Sequence, residues 1–173
     1  MIDFNKYIPN FLTFLRIILT PIFLYFLVDD FYYAKFFALG LFSLASITDA
    51  MDGYYARKYN LVSKFGIFID PLADKILILS AFYGFYFLPI LGGIVKIWML
   101  VFISFRDIFI TLLRMIMEFY GVTMITSKLG KLKTTLQITT IITILIFLVL
   151  DSWGIDYKYI FIDYFILYSL MLI

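Results

Sequence analysis

The sequence predicts an all-α integral membrane protein, with six transmembrane helices preceded by a short N-terminal interfacial segment. Three observations carry that reading. Hydrophobic residues make up 64% of the chain and charged residues 15%, with a mean hydropathy of +1.03, whereas soluble domains are about half apolar and a quarter charged. The 173 residues divide into apolar runs near the roughly 20 residues that a helix needs to cross a bilayer. Short polar or Gly/Pro-containing stretches separate these runs and leave almost no extramembrane domain. No internal repeat, low-complexity run or linker is present, so residues 1–173 read as one domain.

The elements follow in order. Residues 1–7 combine Asp3, Asn5 and Lys6 with the aromatics Phe4 and Tyr7, which suits a segment lying at the interface. No Ala-x-Ala-like site follows, so no removable signal peptide is expected. The first span covers about residues 9–28, with Pro9 acceptable at a helix start. On it Asn10, Thr13 and Arg16 form a polar stripe. The stripe is either the wall of a polar cavity, or a snorkelling Arg16 with a threonine bonded back to its own helix. Asp29, Asp30 and Phe31 make an acidic turn, and a second span runs over residues 33–59. The third, 66–88, carries Pro71 directly after Asp70 and should fray or kink there. A turn with Pro89, Gly92 and Gly93 leads to the fourth span, 97–120, which contains Arg106, Asp107, Arg114 and Glu118. Asp107 and Arg114 share a face and Arg114 and Glu118 are spaced for an i, i+4 pair, so mutual salt bridging is a structural alternative for this cluster. Residues 121–133 read as the most basic loop, with Lys128, Lys131 and Lys133; the fifth span follows at 134–150, an acidic turn at 151–158 and a last span at 159–173.

Orientation follows from Lys and Arg. Lys6, Arg57, Lys58, Lys64, Lys128, Lys131 and Lys133 fall on one set of alternate connections, and only Lys35, Lys96 and Lys158 on the other. By the positive-inside rule both termini face the cytoplasm.

The stretch that asks for a function is TDAMDGYYARKYNLVSKFGIFIDPLADK, residues 48–75. It sets four carboxylates, Asp49, Asp52, Asp70 and Asp74, beside or inside apolar sequence, and an ionisable group there is rare unless it faces a partner, an ion or water. If the first half is helical, Asp49, Asp52, Gly53, Ala56 and Arg57 share a face; Gly66, Asp70 and Asp74, spaced by four, share another. A short polar connection makes the two helices antiparallel, and at 1.5 Å per residue Asp49 and Asp74 lie about 13 and 12 Å from it, at similar depth. One site can then use all four acids, on the cytoplasmic side. Gly53, Ala56 and Gly66 allow close approach to the backbone, and Arg57 offers a fork of donors suited to phosphate oxygens. The structural alternatives are glycines that only space helices and aspartates paired with Arg57 and Lys75, but two cations do not neutralise four acids. The chain has no histidine and no cysteine. Disulfide and thiol chemistry are thereby excluded, metals must be held mainly by oxygen, which favours Mg²⁺ or Mn²⁺, and a general base must be a carboxylate, lysine or tyrosine. Neither a basic tail nor a zinc pattern points to nucleic acid.

Asp-x-x-Asp-Gly-x-x-Ala-Arg, eight residues, then Gly-x-x-x-Asp-x-x-x-Asp resembles the signature of the CDP-alcohol phosphotransferase family, with every signature position matched. The flanking patterns YIPNFLTFLRIILTPIF, DPLADK, FRDIFITLLR and GKLKTTLQ resemble those of bacterial phosphatidylglycerophosphate synthases, so the resemblance extends from Tyr7 to about Gln137. What it implies is transfer of a phosphatidyl group from CDP-diacylglycerol to glycerol 3-phosphate with release of CMP, in a bacterial-type cytoplasmic membrane, by a homodimer among membrane lipids. Asp49, Asp52, Asp70 and Asp74 would hold two metal ions, with Asp74 also the base. Asp49, Gly53, Ala56, Arg57 and Gly66 would contact or make room for the CDP moiety, and Asn10, Thr13 and Arg16 would wall the donor cavity. Asp107 departs from the glutamate expected in those synthases, and the shorter carboxylate is expected to move an arginine partner. Independently of the resemblance, Arg106, Arg114, Lys128, Lys131 and Lys133 supply more positive charge than inositol, serine or choline would need, and a phosphorylated acceptor needs it; Arg106, Arg114, Lys131 and Lys133 are the candidates to bind its phosphate. A phosphatidylinositol-phosphate synthase would want the same pocket, and intramembrane acids also occur in divalent-cation or proton-coupled transporters.

Overall fold

The computed structural model describes residues 8–59, 64–91, 95–120 and 128–155, with side chains for 11–49, 69, 72–91, 95–117, 119–120, 130 and 132–155. Among these residues the fold is all helical: α1 (Ile8–Val28), α2 (Ala34–Tyr59), α3 (Lys64–Phe87), α4 (Ile97–Phe119) and α5 (Lys128–Ser152). The expected interfacial segment and the sixth span lie outside the described residues. Helix α1 packs against α2 and α3, α2 also against α5, and α3 against α4 and α5.

Local chemistry sets the ends. After α1 the Asp29 carboxylate accepts the Phe31 N–H at 3.1 Å, a local turn that competes with further helix. The Lys35 ammonium returns to donate to the Leu27 and Asp29 carbonyls at 2.7 and 2.9 Å, satisfying groups that a helix end leaves open. At the far end of α5, Gly154 adopts φ +74°. Its N–H donates to the Asp151 carbonyl while Ile155 N–H reaches Leu150, the paired bonds of a Schellman cap. One expectation is corrected here. Lys128 to Lys133 do not form a loop but the first turns of α5. Lysine and leucine are good helix formers, and a helix end at a membrane mouth carries its lysines as readily as a loop does.

The core joins all five helices through Phe23 and Leu27, Ala38, Phe42 and Ala45, Leu77, Ile78 and Phe82, Leu100 and Ile103, and Ile141, Ile144 and Leu145. Phe23 and Phe42 meet at 5.5 Å between ring centres. At Gly84 a methyl group would stand 2.5 Å from Leu27 Cδ2, so glycine sets how closely α3 approaches α1.

The exterior is the reverse of a soluble protein's. Helix α4 buries only a stripe, Leu100, Ile103, Ser104, Asp107 and Thr111, while Phe102 (71%), Phe105 (69%) and Phe119 (76%) stand exposed, a face that water disfavours and lipid accepts. Hydroxyls on the apolar helices turn inward to their own backbone, Thr139 to the Thr135 carbonyl and Thr143 to Thr139, both at 2.8 Å. That is how polar groups are satisfied where no water is available. Two stretches, Phe11–Val28 and Leu132–Ser152, are long and apolar enough to cross a membrane.

Candidate active site

Both halves of the acidic stretch are helical. Asp49, Asp52, Gly53, Ala56 and Arg57 lie on α2, and Gly66, Asp70 and Asp74 on α3, which runs on through Pro71, so the face-sharing periods stand. The side chains of Asn10, Asp52, Gly53, Ala56, Arg57, Gly66, Asp70 and Lys131 lie outside the described residues, and with them the meeting of the two acidic faces. Asp49 and Asp74 are the two acids of the quartet whose surroundings are defined.

Asp49 is held from α1. The Arg16 guanidinium, fully buried, lies 2.7 Å from the Asp49 carboxylate, which keeps 35% of its side chain exposed. Arg16 therefore does not snorkel to the headgroups. A guanidinium is tolerated in the interior when a carboxylate faces it, and Asp49 on α2 does so. Thr13 and Thr20, at 3% and 4% exposure, extend the buried polar stripe on α1, and Thr20 donates to the Arg16 carbonyl at 2.9 Å. Replacing Arg16 by Met preserves most of the stem but leaves a carboxylate without this partner. The expected loss is about 1–3 kcal/mol, toward the lower end because Asp49 retains water. The denaturation midpoint in detergent reads it, with Arg16→Lys intermediate; an unmoved midpoint would mean the pair contributes nothing.

Asp74 is placed differently. Its carboxylate lies 3.6 Å from the Lys75 ammonium, with both side chains mostly covered. Lys75 in turn lines a cavity of about 190 Å³ together with Arg106, Asp107, Ile110, Thr111, Arg114, Gly130, Lys133 and Thr134. Among the described residues, four cations from α3, α4 and α5 thus surround one space, with a single acid among them. Pockets for drug-sized ligands run to about 300–1,000 Å³, so this one suits a small anion. Of the acceptor residues read from sequence, Arg106, Arg114 and Lys133 are brought together here.

Asp107 anchors the cavity floor at 3% exposure. One carboxylate oxygen receives the Lys133 ammonium and the other the Gln137 amide at 2.8 Å, while Thr111 donates to the Asp107 carbonyl at 2.7 Å. The expected arginine partner, and the intrahelical pairing with Arg114, are corrected: the carboxylate reaches across to α5. The sequence offered Lys75 only as a structural partner for the aspartates, and that pairing with Asp74 is present; it assigned no role to Lys75 in the cavity or to Gln137. The adjacency of Lys75 to Asp74 was a signal for the first; nothing in spacing along one helix could place Gln137 against α4.

Among the described residues no three acids converge as a metal site, since Asp52 and Asp70 are not among the described side chains. What Asp49 and Asp74 present fits a hard divalent cation: carboxylate oxygens, partly open, on the two helices that also carry the other acids.

A family model described as CDP-alcohol phosphatidyltransferase matches residues 6–171. A protein of Bacillus subtilis (strain 168), named CDP-diacylglycerol–glycerol-3-phosphate 3-phosphatidyltransferase, is 36% identical over 152 residues, covering 80% of this chain and 76% of its own. Proteins with the same name from Rickettsia prowazekii (strain Madrid E) and Cereibacter sphaeroides are 41% and 38% identical, covering 77% and 79% of this chain. This chain spans 71% of the former's length and 62% of the latter's.

Proposed function

The chain belongs to the CDP-alcohol phosphatidyltransferase family, and from that premise we propose that it transfers the phosphatidyl group of CDP-diacylglycerol to glycerol 3-phosphate, forming phosphatidylglycerophosphate and CMP. The observation that carries the acceptor is the small cationic cavity joined through Lys75 to Asp74. A phosphate monoester bears nearly two negative charges at neutral pH. Beside a group of aspartates it is held only where fixed cations compensate, and Lys75, Arg106, Arg114 and Lys133 do so. The names of the relatives support the same acceptor.

Asp49, Asp52, Asp70 and Asp74 would hold two Mg²⁺ or Mn²⁺ ions, which when bound offset the charge of the diphosphate and of the attacking and leaving oxygens. Gly53, Ala56 and Gly66 leave room for the CDP moiety, Arg57 donates to its phosphates, and Asn10, Thr13 and Arg16 wall the donor side. With the acceptor phosphate in the basic cavity, its free hydroxyl reaches Asp74. The carboxylate takes the hydroxyl proton, the oxygen forms a bond to the β-phosphorus, and the bond to CMP breaks with its electrons leaving on CMP. Six spans in one domain, a cytoplasmic site and a homodimer complete the proposal, supported by composition, by lysine and arginine placement and by the family resemblance respectively.

The test is an acceptor panel in detergent with CDP-diacylglycerol: glycerol 3-phosphate, inositol 1-phosphate, inositol and serine, read as CMP release. Glycerol 3-phosphate is expected to dominate. Preference for inositol phosphate would keep the family and change the acceptor; equal use of unphosphorylated alcohols would leave the cationic cavity without a purpose.

A further inference from the structure

We infer that Asp107, fixed by Gln137, is a positioning residue that aims the Lys133 ammonium at the phosphate of the acceptor, an assignment that rests on reading the cationic cavity as the acceptor site. An acid in an anion site opposes the ligand's charge, so its presence needs a reason. The geometry supplies one. Asp107 lies on α4 and is nearly fully buried; its two oxygens are divided between Lys133 and Gln137, both on α5. Gln137 is itself fully buried, and its amide nitrogen bonds Asp107 while its amide oxygen has no partner among the described residues. The amide therefore serves the carboxylate. A lysine side chain is a point charge on four flexible carbons, and without a fixed acceptor it would spread over many rotamers. With one oxygen of Asp107 immobilised by Gln137, the other holds Lys133 at the wall of the cavity, mostly covered, with its remaining N–H donors left for a ligand.

Field and position predict opposite signs. If Asp107 acted only through its charge, Asp107→Asn would make the cavity more positive and tighten glycerol 3-phosphate. If it positions Lys133, the same change frees the lysine and weakens binding. The expected result is a KM for glycerol 3-phosphate raised roughly tenfold, with kcat and the KM for CDP-diacylglycerol within about twofold. Asp107→Glu, which keeps the charge and the acceptor, should recover most of the loss. Gln137→Met, which touches no charge, should shift the same KM upward by about threefold. It carries the test should Asp107→Asn not fold. A KM that falls or stays put, or parallel loss of kcat and both KM values, would overturn the inference. Binding of inorganic phosphate to the detergent-solubilised wild type and Asp107→Asn, followed by calorimetry, separates this from the acceptor reading. Weaker phosphate binding in the variant with a wild type that ignores glycerol 3-phosphate would retain the positioning role and discard the acceptor; equal phosphate binding would discard the positioning role.

Discussion

Asp52→Asn and Asp70→Asn are each expected to reduce CMP release from CDP-diacylglycerol by about a thousandfold or more, since a bound cation contributes several kcal/mol to the charge developed in phosphoryl transfer and each 1.36 kcal/mol is tenfold in rate. EDTA should have the same effect on the unaltered protein, and Mg²⁺ or Mn²⁺ should reverse it. The two aspartates sit on α2 and α3, and the amide keeps size and shape, so helix content and elution in detergent should be preserved. If the four acids share one site, Asn also relieves repulsion among them, so a purely structural role predicts equal or greater stability with activity intact. A fully active Asp52→Asn would therefore sink the two-cation reading. In a chain without histidine or cysteine, no other strong ligands stand ready to replace these carboxylates.

Asp74→Asn should separate base from ligand. Removal of a general base acts on the transition state and typically lowers turnover by about 10²–10⁴-fold, so kcat should collapse while CDP-diacylglycerol binding changes little. Its neighbour sharpens the expectation. Lys75 lies 3.6 Å from the carboxylate, beyond hydrogen-bond length, so unlike the Asp107–Lys133 bond this contact does not aim the ammonium, and its loss should leave the KM for glycerol 3-phosphate within about twofold. Single-turnover measurements with saturating CDP-diacylglycerol read the chemical step directly. Equal losses in donor binding and turnover would make Asp74 chiefly a metal ligand.

The helices were legible in the sequence because bilayer length and apolar composition are local properties. The first four spans begin and end within two residues of α1 to α4. The start of α5 was not legible: lysines were excluded from the span on grounds of charge, yet a helix needs only backbone hydrogen bonding to continue through Lys128, Lys131 and Lys133. Arg16 shows the same limit. Its place on a polar stripe was evident, but snorkelling and burial differ only in what stands opposite, and that is Asp49 on another helix.

By itself, then, the sequence determined the class of molecule, the helical periods of the acidic stretch, the absence of histidine and cysteine donors and the family. All of these depend on residue identity and spacing along one chain segment. Tertiary structure alone decided that Arg16 holds Asp49, that Lys75 links Asp74 to a basic cavity, and that Asp107 bonds Lys133 and Gln137 rather than an arginine of its own helix. Apart from Asp74 and its chain neighbour Lys75, these are pairings between helices, 26 and 30 residues apart in the case of Asp107. Which side chains meet across a helix–helix contact depends on the rotation and depth of each helix in the packed core, and no local pattern encodes those.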